Sequence, residues 1–188
     1  PKHGILSADV GSGSLTIEYS EIARCSSNTS GNTPHMIYVT TDEALHPGSV
    51  IRLQHSYLHD GIAGSSIKSR AERTEVLYNW FESSGLYDVE LYGPDADGYP
   101  PSNSGVYAGW TQASLHENGE VVGNVFVRTA HKATNYLFRM GGDLDTNQSS
   151  GRVRFANNTV VSSAGGGLFR IFAELDSLEL HNNIFVAN

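Results

Sequence analysis

The sequence has a single cysteine, Cys25, among 188 residues, so no disulfide can form within the chain. Basic residues are also scarce: 12 Lys and Arg stand against 20 Asp and Glu, giving a net charge of −8. A nucleic-acid-binding face is normally basic, so no nucleic-acid partner is expected. No stretch approaches 18 consecutive apolar residues, so no membrane span is predicted. The chain begins without Met or a recognisable signal peptide, and we interpret it as a mature or partial segment of a longer protein.

What the chain does contain is a repeat. Six ten-residue segments align on one Ser or Asn each: Ser20, Ser56, Asn79, Asn124, Asn158 and Asn183. The residue three places before each of them is apolar: Ile17, Leu53, Val76, Val121, Phe155 and Leu180. The residue two places after is apolar as well: Ile22, Leu58, Phe81, Phe126, Val160 and Phe185. Only 39% of the chain is hydrophobic, so this agreement is very unlikely to arise by chance.

Repeats spaced by 20–50 residues indicate a solenoid. The abundance of Gly, at 20 residues, favours turns and strands over helices. We therefore predict an all-β, right-handed parallel β-helix of about six coils, with the recurring Ser or Asn forming a ladder at one inward corner. Residues 67–81 alternatively suggest an amphipathic helix with a capping box from Ser69 to Glu72, but one helix does not explain the other five copies. Residues 1–188 are predicted to form one domain, with loop insertions at 24–35 and 92–118.

Each interval holds a further short strand, and alternation assigns one face of it to the interior. The predicted inward pairs are Ile37/Val39, Ile67/Ser69, Val89/Leu91, Phe138/Met140 and Phe169/Ile171. The predicted outward centres are Tyr38, Lys68, Glu90, Arg139 and Arg170. Because successive coils stack, these five side chains should form one column on a flat sheet.

The segments "HMIYV", "IKSRAERTEVLYNWF", "YDVELYGPD" and "LHNNIFV" resemble those of parallel β-helix proteins of the pectate-lyase-like superfamily. The "IKS" segment before an Asn turn is distantly similar to polysaccharide lyase family six, which includes chondroitinase B and alginate lyases. That resemblance implies a Lys base at Lys68, assisted by an Arg on the next coil. Glu90 occupies the place of that Arg in this sequence. The resemblance also implies a secreted or surface location and, for a lyase, a calcium ion.

Several kinds of chemistry are open for this column. Elimination from a uronate needs a base and a group that neutralises the sugar carboxylate. Lys68, Arg70 and Glu90 are the candidate catalytic residues; the candidate substrate-binding residues are Tyr38, Arg139, Arg170, Tyr92 and Trp110. The column could instead be a ladder of charges on a solvated sheet, each pair contributing under about 1 kcal/mol. Asp88 and Glu90 could also form a glycosidase carboxylate pair.

Other residues suggest weaker hypotheses. Asp95 and Asp97 resemble part of a calcium loop, although turn chemistry explains them too. His55 and His59 flank a turn and are interpreted as corner residues rather than zinc ligands. Loop aromatic residues, Trp110 among them, could stack on sugars or cover a local core.

Two functions follow as expectations. The first is an extracellular β-helix that handles an acidic polysaccharide and, if catalytic, is a lyase. The second is a non-catalytic structural or adhesive module. Open sheet edges at the ends of the solenoid predict an end-to-end or homo-oligomeric contact.

Overall fold

The protein folds into three parallel β-sheets, each with six strands. The computed structural model describes residues 3–7, 11–25, 33–43, 45–82, 84–93, 117–128, 136–142, 151–163, 166–172 and 175–187. Sheet A contains β1 (Ile5–Leu6), β4 (Ile37–Thr40), β7 (Ile67–Arg70), β10 (Val89–Leu91), β13 (Phe138–Met140) and β16 (Phe169–Ile171). Sheet B contains β2 (Leu15–Glu18), β5 (Val50–Gln54), β8 (Arg73–Leu77), β11 (Asn118–Val122), β14 (Arg152–Ala156) and β17 (Ser177–His181). Sheet C contains β3 (Glu21–Ala23), β6 (Tyr57–His59), β9 (Trp80–Glu82), β12 (Val125–Arg128), β15 (Thr159–Ser162) and β18 (Ile184–Ala187).

The chain passes through sheets A, B and C in turn, and each strand pairs with its counterpart on the next coil. This arrangement is a parallel β-helix of six coils, with the right-handed winding expected of parallel crossovers. The predicted fold is confirmed. Residues 67–81 form the strands β7, β8 and β9, so the helical alternative is wrong. None of the described residues forms a helix long and apolar enough to cross a membrane.

The core lies between the three sheets. Its side chains come from the inward positions predicted for sheet A and from the two apolar columns that flank the ladder on sheets B and C. Phe81 and Phe126 stack with ring centroids 4.8 Å apart, and Phe138 meets Phe126 edge-on at 4.8 Å. The inward assignment fails at Ile171, which is 55% exposed. Ile171 lies on the last described strand of sheet A, where no further coil covers it.

The predicted ladder is present at the corner between sheets B and C. The Asn79 side-chain amide donates to Asn124 Oδ1 at 3.0 Å, and the Asn124 amide donates to Asn158 Oδ1 at 3.0 Å. Asn158 continues the series to Asn183 at 3.1 Å. Each of these amides also donates to a backbone carbonyl of a neighbouring strand. The ladder therefore satisfies buried polar groups along the whole corner, which would be costly to leave unpaired.

The residue just before each ladder residue adopts a left-handed backbone conformation. These residues are Tyr19, His55, Tyr78, Gly123, Asn157 and Asn182, with φ between +49° and +71°. The left-handed residue allows the chain to turn from sheet B into sheet C within two residues. His55 is thus a corner residue, as predicted, whereas the same prediction is wrong for His59, which lies on β6.

Candidate functional site

The outward column of sheet A has the predicted register. Tyr38, Lys68, Glu90, Arg139 and Arg170 are paired from one coil to the next along the sheet. Parallel pairing places consecutive members about 4.8 Å apart. The column therefore carries three cations, one carboxylate and one phenol along the axis of the solenoid.

Glu90 lies at the centre of the column and is only 2% exposed. Its carboxylate accepts hydrogen bonds from the Ser65 and Tyr92 hydroxyl groups, both at 2.6 Å, and lies 3.5 Å from Arg139 Nη1. A ladder of solvated charges would leave Glu90 exposed. Instead, the Ser65 and Tyr92 side chains from adjacent turns cover its carboxylate. These contacts fix the position of the Glu90 carboxylate, which in turn holds Arg139 and Tyr92 in place.

His35 lies beside Glu90, with 3.8 Å between its Nδ1 atom and Glu90 Oε2. The same nitrogen accepts a hydrogen bond from the Ser65 backbone N–H at 3.0 Å. An acceptor nitrogen carries no proton to donate, so this contact is not an ion pair.

The Tyr92 ring gathers three cations around it. Lys68 Nζ lies 4.8 Å from its centroid, and the guanidinium carbons of Arg70 and Arg139 lie at 5.0 Å and 4.2 Å. Tyr92 is 1% exposed, so the ring is packed beneath the cations and offers no face to a sugar. Cation–π contacts of this kind stabilise the charged forms.

Lys68 has the environment of a binding cation rather than of a base. Its ammonium group lies between the rings of Tyr38 and Tyr92, at 5.0 Å and 4.8 Å from their centroids. Both rings favour the protonated amine, as does the carboxylate of Glu90 on the adjacent strand. A catalytic base must lose that proton, so these surroundings oppose proton abstraction by Lys68.

Arg70 is 2% exposed. It donates through Nε to the Tyr38 hydroxyl at 3.2 Å and through Nη1 to the Gly93 carbonyl. Arg70 therefore positions Tyr38 and the chain after β10, and it does not reach a ligand on the outer surface.

Arg139 and Arg170 occupy the last two described places of the column, and the Arg139 side chain is only 13% exposed. The Phe172 ring supports both guanidinium groups, at 4.4 Å and 4.7 Å from its centroid. Arg170 also donates to the Tyr87 hydroxyl at 3.3 Å and is exposed. Supported on one side, the exposed guanidinium of Arg170 can present hydrogen-bond donors to a carboxylate in solution.

The proposed carboxylate pair of Asp88 and Glu90 is not supported. Asp88 is 2% exposed, and its Oδ1 atom lies 3.3 Å from Arg128 Nη2 in the interior. Arg128 is fully buried and also donates to the Ser84 hydroxyl and the Leu86 carbonyl. Alternation in "VFVR" places Arg128 inward with Phe126, which is the signal that sequence reasoning missed. The pair joins sheet C to the segment preceding β10.

The other predicted ligands lie in parts of the chain that the structure does not describe. Asp95, Asp97 and Trp110 all fall within residues 94–116, as does most of the predicted insertion. Across the ten described ranges, no group of three or more His, Cys, Asp or Glu side chains could hold a metal ion.

Comparison of the chain with known protein families, with curated proteins and with solved structures finds no match in any of the three.

Proposed function

We propose that the protein binds an acidic polysaccharide along the outer face of sheet A. Lys68, Arg139 and Arg170 form the binding strip. The observation that carries the proposal is the aromatic support of these three cations: Tyr38 and Tyr92 hold Lys68, and Phe172 holds both arginines. Such support fixes long side chains in place before a ligand arrives, which lowers the entropy lost on binding.

The charge of the strip indicates the class of ligand. Carboxylates of a uronate-containing chain recur along its length, as the cations recur along the solenoid. The resemblance to pectate-lyase-like β-helix proteins supports the same class of ligand and a secreted or surface location. Because fold does not determine function, the argument rests on the strip itself.

Binding without elimination is the activity that we propose. The resemblance to polysaccharide lyase family six would make Lys68 a base, but Tyr38, Tyr92 and Glu90 all favour its charged form. Glu90 also takes the place of the assisting Arg.

The test measures retention of the protein in gels that contain polygalacturonate, alginate or chondroitin sulfate. Lys68→Ala and Arg170→Ala should each weaken retention, and the retention of the natural protein should fall as salt rises. Arg152→Ala is the matched control, since Arg152 is an exposed cation on sheet B. Retention that is unchanged in both strip variants would contradict the proposal.

The same polysaccharides separate binding from catalysis. Incubation with the protein should produce no new ultraviolet absorbance from unsaturated uronates. Appearance of that absorbance, and its loss in Lys68→Ala, would instead identify the lyase.

A further inference from the structure

A second surface lies at the corner between sheets B and C, and its backbone is strained. The corner row, which we define as Tyr19, His55 and Tyr78, has φ values of +49°, +50° and +57°. The left-handed conformation costs roughly 1–2 kcal/mol for a residue with a side chain. The next three coils use Gly123, Asn157 and Asn182 at this position, the residue types that tolerate it best. Backbone strain that is retained where Gly or Asn would adopt the same conformation with less strain often marks a functional site.

The three rings form one continuous wall. The Tyr19 and His55 rings stack with centroids 5.2 Å apart, and the His55 and Tyr78 rings at 5.6 Å, nearly parallel in both cases. The Tyr78 ring then lies over Gly123, where a Cβ atom would come within 2.4 Å of Tyr78 Cδ1. The row is nevertheless exposed, at 78% for Tyr19 and 58% for Tyr78.

Tyr57 and Trp80, which are register partners on sheet C, form the opposite wall. Tyr57 is held by stacking on His59 at 4.2 Å and by donating to Glu82 Oε2 at 2.9 Å. Trp80 is 47% exposed and has no side-chain hydrogen bond or ring partner among the described residues. The two rows line a shallow, open groove of about 640 Å³, which also borders Ser56 and Asn79 of the ladder. We call it the corner groove.

The groove combines apolar ring faces with unpaired polar edges. Within the described part of the chain, the hydroxyl groups of Tyr19 and Tyr78 and the ring nitrogens of His55 make no hydrogen bond, nor does the Trp80 indole N–H. Aromatic side chains with one apolar and one polar part suit ligands that are themselves apolar on one face and polar at the edge. A pyranose has this character, with C–H groups on its faces and hydroxyl groups around its rim.

The charge around the groove excludes an acidic ligand. Glu18 and Glu21 lie exposed beside the first coil, and Asp60 and Glu82 follow on the next two. His59, which stacks on Tyr57, is engaged with Glu21 at 2.9 Å and Asp60 at 3.1 Å. This rim contrasts with the three cations of the strip on sheet A. We propose that the corner groove is a second glycan-binding site, specific for an uncharged polysaccharide that stacks on Trp80 and Tyr57 and hydrogen-bonds to the corner row.

Affinity electrophoresis tests this site separately from the strip. Gels would contain hydroxyethyl cellulose, arabinoxylan or galactomannan as uncharged polysaccharides. At least one should retard the natural protein, and Trp80→Ala should weaken that affinity by about tenfold or more, as expected for a central aromatic anchor. Thr159→Ala, further along the same column of sheet C, should change nothing. Lys68→Ala should leave this retardation intact while weakening retention by acidic polysaccharides.

Tyr19→Asn provides a variant that should not harm the fold. Asn occupies the same corner position in coils five and six, so the change relieves strain while it removes a ring and a hydroxyl. Its affinity for the uncharged polysaccharide should fall several-fold with no drop in the thermal midpoint, which a purely structural role for the ring would not allow.

Three results would overturn the proposal. The first is the absence of retardation by all three uncharged polysaccharides, and the second is unchanged retardation in both Trp80→Ala and Tyr19→Asn. The third is a dimer in sedimentation that Trp80→Ala converts to a monomer, because the groove would then bind a second copy of the chain.

Discussion

The outward column of sheet A and the corner groove are both built from side chains that repeat from coil to coil. The first surface is filled, since neighbouring side chains cover it, and the second is open to solvent. On sheet A, Tyr92 and Ser65 close over Glu90, leaving it 2% exposed. At the corner, Trp80 remains 47% exposed although it occupies the same kind of outward position. The difference arises from the connections. Ser65, just before β7, and Tyr92, just after β10, close over sheet A, whereas the two-residue corner between sheets B and C covers nothing.

The contrast indicates how a repeated scaffold separates two kinds of surface. A strip packed with rings and a buried carboxylate fixes cations for charged ligands, since long side chains need support to keep one geometry. Short corners expose rigid rings directly, since aromatic side chains have few torsions to order. Three substitutions test this contrast, from the largest expected effect to the smallest, and a fourth concerns the pH dependence of stability alone.

Arg128→Leu should affect both surfaces, because Arg128 links β12 to the segment that leads into β10. Removing Arg128 leaves the Asp88 carboxyl buried without its partner, and should cost about 3–5 kcal/mol of unfolding free energy. Urea denaturation measures the loss. Arg152→Leu, at an exposed position on sheet B, should stay within about 0.5 kcal/mol of the natural protein. Similar losses in the two variants would show that the interior pair has no special role.

Glu90→Gln should affect only the filled surface. The amide weakens the bonds from Ser65, Tyr92 and Arg139, which is expected to cost about 1.5–3 kcal/mol as for other hydrogen bonds to a charged group. Binding of uncharged polysaccharide should be unaltered, and binding of acidic polysaccharide should be retained because a negative charge is removed beside Lys68. A stable variant with weakened acidic binding would mean that the carboxylate is needed to hold Arg139 in position for the ligand.

Gly123→Ala should affect only the open surface. The new methyl group would displace the exposed Tyr78 ring and would also be strained by the left-handed backbone at φ +71°, at a combined cost of roughly 1–3 kcal/mol. In a Tyr78→Asn background the same change should cost less, since the ring is gone. Equal costs in the two backgrounds would contradict the contact on which the wall depends.

Glu43→Gln should change the pH dependence of stability and should leave both binding surfaces unchanged. Glu43 lies at the corner between sheets A and B, where burial, with the negative charges of Glu117, Glu72 and Asp42, raises its pKa from 4.5 to about 8. The folded state therefore keeps the Glu43 proton at pH values where the unfolded chain has released it. The contribution of Glu43 to the unfolding free energy is largest below pH 4.5 and declines as the pH rises to about 8. The slope from this group is at most about 1.4 kcal/mol per pH unit.

The measurement is the unfolding free energy at intervals from pH 4.5 to 8.5. The decline should flatten in Glu43→Gln, which has no ionisable group at this position. Identical pH profiles for the natural protein and the variant would count against the raised pKa.

The sequence alone determined the fold and the register, because both follow from local periodicity. Apolar columns at constant offsets from Asn79 and its equivalents specify which residues stack, and parallel strands keep that register from coil to coil. The pairing of Lys68 with Glu90 follows for the same reason.

Tertiary structure decided which outward residues remain accessible. The burial of Glu90, Tyr92 and Arg70 depends on how the turns fold over sheet A, and no periodic pattern encodes that. The pairing of Arg128 with Asp88 depends on two sheets meeting across the core. The corner groove depends on the left-handed backbone at Tyr19, His55 and Tyr78. Neither Tyr nor His signals that conformation as Gly or Asn does, so only the packed coils, where the rings stack, could reveal it.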